Sequence, residues 1–262
     1  MQLRQKTLVP ALIAAMLALG SQAAQAFDFE NTTLDDFTLS SAIYKGSFSY
    51  DNVTYTPGDG KAFDLTELPV DDYTRIVGTY NDGGTNRNAI YRIYRQQYSA
   101  VVGNILQGGA DRSFVQQAVG EFTDNGYLNT LATNTKLEYN GVAFNHIEGT
   151  EGTFSYTISN DGTKWVGEGS VAGITGARPT SGSFTIGGAL NQAEVKVQAN
   201  GNLGVSEGST TLTSNNADVQ AALAGVKYDL GVFGPNADEV AGRLYGPALE
   251  ALLNNYGLAA KQ

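Results

Sequence analysis

The chain has no cysteine, one histidine, one tryptophan and six prolines among its 262 residues. Each shortage excludes a kind of chemistry. Without cysteine there are no disulfides, no thiolate metal sites, no cysteine nucleophile and no lipid-modified N-terminal cysteine. With a single histidine, any serine triad would have to be built on His146, and no G-x-S-x-G elbow accompanies it. The phosphate-cradling contexts GxxxxGK(S/T) and GxGxxG are missing as well. The acid pairs Asp35-Asp36 and Asp71-Asp72 are sequence neighbours, so on a strand they point to opposite faces and cannot act jointly. The acids between Asp28 and Asp36 fit no EF-hand loop. Positive charge is scarce: 16 Lys and Arg stand against 26 Asp and Glu, a formal charge of −10. Nucleic-acid binding rests on neutralising phosphates with Lys and Arg, so this composition argues against it. An acidic surface instead keeps an exported chain soluble. These shortages leave no recognisable catalytic signature, and no enzyme is expected.

The first 26 residues have their own character. Arg4 and Lys6 form a basic start, LVPALIAAMLALG an apolar stretch, and Ala24-Gln25-Ala26 a small-residue cleavage site. The apolar stretch is too short to span a bilayer, which takes about 20 residues, and Arg4 stands alone, so no twin-Arg signal is present. A Sec signal peptide over residues 1–26 is expected, with a mature chain from Phe27. That chain keeps 14 basic against 26 acidic side chains. The 32 glycines and 14 tyrosines suit many short strands and tight turns.

Two halves follow. From Phe27 to about Thr135 the chain is aromatic and irregular and holds nine of the tyrosines. From Lys136 it becomes a series of short alternating runs: LEYNGVAF, GTFSYTIS, TKWVGEGSVAGI, GSFTIGG, AEVKVQA, GNLGVSEGSTTLTS, KYDLGVFG and AGRLYG. Asn160-Asp161-Gly162 between two of them is a hairpin signal. About eight short strands suit a closed antiparallel barrel or a sandwich, and closure removes exposed edges. NADVQAALAG reads as a short helix capped by Asn216. Phe114–Phe122 reads as an amphipathic helix, and PALEALLNNYGLAAKQ as a terminal helix with a returning strand through Tyr256 as the alternative. In NAIYRIYRQQYSAVVGNI, Tyr91, Tyr94 and Tyr98 fit helical spacing while their residue types favour strand, so periodicity leaves that segment open.

The junction LGVFGPNADEVAG is similar to one in the C-terminal barrel of the transferrin-binding protein B and factor H-binding protein group. Gly234, Pro235, Ala237, Glu239, Val240 and Gly242 fill that pattern. YNGVAF, GTFSYTIS and Gly167–Ser170 resemble the opening strands of the same barrel, and IYRIYRQQYSAVVG resembles a strand of the group's handle-like N-terminal domain. The resemblance implies a mainly β protein: a small handle-like α+β domain over residues 27–135, then an eight-stranded antiparallel barrel over residues 136–262. Within the group, the absence of a lipid anchor resembles hemophilin-type secreted haem-binding proteins. That implies haem as a carried ligand, export through a Slam-type outer-membrane translocon that reads the barrel, and delivery to a TonB-dependent receptor of a Gram-negative cell. The alternative is a secreted host-interaction protein that binds a host macromolecule. A monomer is expected in either case.

Tyrosine and histidine can both hold haem iron, and arginine pairs with propionate carboxylates. Tyr91, Tyr94 and Tyr98 with Arg92 and Arg95 therefore form the candidate ligand set, and His146 is an alternative iron ligand. The competing use of these side chains is packing, with the arginines meeting some of the many acids. At the junction, Gly234 and Pro235 suit a reversal, and Asn236 suits an N-cap for a short Ala-Asp-Glu-Val turn with Glu239 at its positive end. Together with Gly242 these residues are expected to close the barrel and to carry no chemistry.

Overall fold

A computed structural model describes residues 28–109 and 114–262; the expected signal segment, residues 1–26, lies outside the described residues. Strand β1 (Asp28–Asn31) is followed by a 3-10 turn at Leu34–Asp36 and by four very short strands. These are β2 (Phe37–Thr38), β3 (Phe48–Tyr50), β4 (Val53–Tyr55) and β5 (Ala62–Phe63), paired β2 with β5 and β3 with β4. A second 3-10 turn, Leu65–Glu67, leads into the long hairpin of β6 (Asp72–Asp82) and β7 (Thr85–Arg95). Gly83 and Gly84, both at positive φ, supply its two-residue turn, which is the geometry that matches strand twist. β8 (Ser99–Leu106) and β9 (Val115–Gly120) complete a five-stranded sheet in the order β1-β9-β8-β7-β6, with β1 parallel to β9.

The second half begins with β10 (Lys136–Phe144), β11 (Gly152–Asn160), β12 (Trp165–Arg178) and β13 (Gly182–Glu194). The two-residue β14 (Lys196–Val197) precedes β15 (Leu203–Ser214), helix α1 (Ala217–Ala222), β16 (Lys227–Phe233), β17 (Glu239–Tyr245), helix α2 (Pro247–Leu253) and β18 (Tyr256–Lys261). β10 to β13 and β15 to β18 form a closed antiparallel barrel of eight strands: β10 pairs with β18, and β13 pairs with β15. The interior holds Tyr139, Phe154, Tyr156, Ile174, Tyr228, Leu230, Val240 and Leu258. Val219, Leu223 and Leu249 join that cluster from α1, its C-cap and α2, which pack together where β15 and β17 end. The Asn216 side chain accepts from the N–H groups of Asp218 and Val219 at 3.1 and 3.3 Å, so α1 has the cap read from its sequence.

The five-stranded sheet lies between two layers. One face, with Ile90, Tyr94, Val101, Ile105 and Ala118, packs on Phe144, Phe233, Ala241 and Ala259 of the barrel wall. The other face, with Ala89, Tyr91, Ile93, Val102 and Val119, lies under a lid of Leu34, Phe37, Tyr44, Phe48, Phe63 and Leu65. Central strands of the sheet and β16 to β18 of the barrel are thus buried on both sides.

Two-sided burial corrects two sequence expectations. The segment Phe114–Phe122, expected as a helix, is strand β9 and its flanks. Val115 and Ala118 face the barrel and Val119 faces the lid, so apolar residues occur at helical spacing in a strand that is covered on both faces. The terminal segment is half of each alternative: α2 ends at Asn254, which sits at φ +71°, and β18 then closes the barrel.

Inside the barrel, glycines leave room for tyrosine rings. A methyl group on Gly208 would lie 2.3 Å from the fully buried Tyr228 ring, and one on Gly167 would lie 2.3 Å from the Tyr156 hydroxyl. Gly208→Val is expected to lower unfolding stability by about 1–3 kcal/mol, because the rings have no space to retreat. Urea unfolding followed by tyrosine fluorescence measures it, and an unchanged midpoint would contradict the packing described.

Candidate binding cleft at the seam between the sheets

Strand β7 distributes the expected ligand residues to different places. Tyr91 and Tyr94 are three apart on a strand and therefore face opposite sides. Tyr91 lies under the lid, where its hydroxyl donates to the carbonyls of Gly46 at 2.6 Å and Lys45 at 3.1 Å; burial pushes its pKa up. Tyr94 faces the barrel beside Tyr73 and Phe144, and burial, aided by Asp71, Asp72 and Glu239, pushes its phenol up to about 12. Tyr98 is half-buried in the β7–β8 connection. The three phenols do not converge on one point where an iron could sit.

Arg92 and His146 belong to the seam between sheet and barrel. Arg92 is 1% exposed; it pairs with Glu151, donates to the carbonyls of Asn145 at 2.6 Å and Ile147 at 3.2 Å, and lies 4.2 Å above the Tyr73 ring. Burial tends to raise the Glu151 carboxyl, but hydrogen bonds from Arg92 and from backbone N–H groups outweigh it and hold the pKa below the usual value. His146 follows β10 in the same loop, with its ring 5.7 Å from Phe114 and its Nδ1 3.2 Å from the Asn254 amide. Among the described residues no group of three His, Cys, Asp or Glu side chains is placed to hold a metal ion.

The junction between β16 and β17 does more than reverse the chain. Gly234 sits at φ +84°, donates to Glu121 O at 2.9 Å, and accepts from the Thr123 hydroxyl at 2.7 Å. A methyl there would be 2.5 Å from the Asp238 carboxylate and 2.8 Å from the Tyr98 ring. The expected helical turn is replaced by a tight turn: Asn236 does not cap, the Asp238 carboxylate accepts from the Asn236 N–H at 3.0 Å, and Ala237 takes φ +57°. Gly242 lets β17 approach β16, since a methyl would be 2.0 Å from Asp229 O. Glu239 opens β17 but faces outward, 2% exposed. Its carboxylate accepts from the N–H of Gln97 at 2.8 Å, the N–H of Tyr98 at 3.1 Å and the hydroxyl of Ser99 at 2.7 Å. The motif expected only to close the barrel therefore also grips the β7–β8 connection of the first sheet.

Outside that gripped loop is an open cleft of about 330 Å³. Arg95, Gln97 and Tyr98 form one side, the two 3-10 turns supply Leu34, Asp35 and Thr66, and Thr33 and Glu121 complete it. Of the five expected ligand residues, only Arg95 and Tyr98 reach this cleft. Thr66 and Glu121 carry no motif, and Asp35 stood out only as half of an acid pair; they meet because β1, the lid and β9 converge on the end of the seam.

Two substitutions separate the parts played by Glu239. Burial raises its pKa above the usual carboxylate value, outweighing the hydrogen bonds that lower it. A raised native pKa means that the charged form costs stability, so the native state gains from this group as pH falls through the native pKa toward the ordinary range. Glu239→Gln is expected to remove that dependence, so wild type gains on the variant between neutral and mildly acidic pH. Glu239→Ala strands the three donors and is expected to cost about 1–3 kcal/mol at any pH. Thermal denaturation from about pH 8 down to about pH 4 measures both, and parallel curves for wild type and Glu239→Gln would contradict the assignment.

In comparison with known proteins, no curated protein matches the chain. Residues 129–244, from the turn before β10 into β17, match the family model described as factor H binding protein, C-terminal. The match covers β10 to β16 and most of β17, so this stretch of the barrel is similar to the C-terminal domain of factor H binding protein.

Proposed function

We propose that this is a secreted host-interaction protein that acts by binding a host macromolecule, with the barrel as a rigid carrier for the five-stranded sheet and its lid. The observation that carries the reading is the match of residues 129–244 to a family model named for binding a host protein. The apolar seam and the Arg92 and Glu239 clasps support it, because a fixed two-part surface suits recognition without turnover. In this reading the signal segment takes the chain through the Sec route to the periplasm. A Slam-type outer-membrane translocon then passes it to the outside of a Gram-negative cell. Haem carriage with delivery to a TonB-dependent receptor is the competing reading; the divergent placement of Tyr91, Tyr94 and Tyr98 favours the host-protein reading over it.

Surface plasmon resonance with the chain from Phe27 onward, run against factor H and a panel of other serum proteins, tests the proposal beside an absorbance titration with ferric haem. Saturable binding to a serum protein, weakening with added salt as expected for a chain this acidic, is the anticipated result. A sharpened Soret band at one equivalent, without serum-protein binding, would overturn it.

A further inference from the structure

Three arginines are buried among the described residues: Arg92, Arg95 and Arg243. Two are neutralised in the ordinary way. Arg92 has Glu151 and the Tyr73 ring, while Arg243 has Asp229 at 3.2 Å and the Tyr245 ring at 4.1 Å. Arg95 differs. It is 7% exposed, its Nη1 donates to Leu68 O at 3.1 Å, and its buried Nε has no partner. No described carboxylate lies within ion-pair distance of it. Asp72, its cross-strand neighbour, turns its carboxylate to the N–H of Tyr73 at 2.7 Å. Asp71, next along, pairs with Lys261. A guanidinium always carries its charge, and a buried charge is costly unless an anion or good acceptors surround it.

Arg95 is one of the residues that line the junction cleft. We propose that the cleft is a binding site for a small zwitterion of the amino-acid type, its carboxylate held by Arg95 and its ammonium group by Asp35 and Glu121. The guanidinium fork matches a carboxylate in shape and charge. Asp35 and Glu121 are exposed in the same cleft, where they disfavour a doubly charged anion such as phosphate and favour a ligand that also carries a cation. Thr33, Thr66 and Gln97 add neutral donors and acceptors. The volume of about 330 Å³ lies at the small end of the range for ligand clefts and suits a molecule of amino-acid size. The site was invisible in sequence because Asp35, Thr66, Arg95 and Glu121 come from four separate segments.

The inference stands apart from the host-protein reading, since it rests on the charge balance of one cleft and its test uses no host protein. The experiment is isothermal titration of the chain from Phe27 onward with L-leucine, L-glutamine, sodium acetate and inorganic phosphate. It is paired with proton–nitrogen NMR of the arginine Nε–H signals. The expected result is saturation by an amino acid, a shift of the Arg95 Nε–H signal, binding of acetate weaker by about tenfold or more, and no saturation by phosphate. Arg95→Lys keeps the charge but loses the fork, and is expected to weaken amino-acid binding by about tenfold or more. Asp35→Asn, at an exposed position, is expected to weaken amino-acid binding while acetate, freed of a neighbouring negative charge, binds no more weakly than before. No shift of the Arg95 signal by either amino acid up to about 10 mM, affinity unchanged in both variants, or phosphate binding above amino acids would each overturn the proposal.

Discussion

Glu239 places a buried carboxylate in a largely apolar seam, and the joining of sheet to barrel depends on how that carboxylate is satisfied. Two backbone N–H groups and one hydroxyl from residues 97–99 point at it, so the β7–β8 connection is positioned by an acceptor on the barrel. Around this polar point the contact is made of rings: Phe122 on Phe233 at 4.2 Å and Tyr73 on Phe144 at 5.3 Å. Non-directional burial brings the surfaces together, whereas hydrogen bonds to one carboxylate fix their register. Arg92 makes a similar clasp nearer the loop after β10, with the charge signs reversed.

This division of labour explains what was legible in the sequence. Strands with one wet face were easy: Phe154, Tyr156 and Ile158 alternate with Ser155 and Thr157, and a hairpin follows where the Asp-Gly signal put one, although its loop is the four residues Asp161–Lys164 with Gly162 at φ +99°. The capped helix at Asn216 was equally plain. The difficulty lay wherever a strand has no wet face. β9 imitated a helix, and β7 remained open between helix and strand, because burial on both sides erases the period-2 signal. Terminal strand β18 stood only as the alternative to a helix for the same reason, since YGLAA is covered inside and out.

Side-chain roles were harder to read than elements. Tyrosines three and seven apart looked like one constellation, yet a strand period sends Tyr91 and Tyr94 to different layers. Arginines looked alike in sequence, and only the three-dimensional count of nearby carboxylates distinguishes Arg92 and Arg243 from Arg95. The junction motif was located correctly but its reach was not, because nothing local in GPNADEVAG says that Glu239 points away from the barrel interior toward another sheet. Such partnerships are long-range, and spacing along the chain does not encode them.

The pairing of β10 with β18 has a consequence for the order of events during synthesis. Asn140 is opposite Lys261, so the first wall of the barrel waits for the last residues of the chain before it is complete. In the first sheet, Asp28 pairs with Gln117, and Glu239 must be made before residues 97–99 find their acceptor. Contacts this distant in sequence are slow to form, because each closes a long loop before it gains stabilisation. A polypeptide emerging from the ribosome therefore cannot reach this architecture piecemeal. The barrel stays open until β18 is available to pair with both β10 and β17.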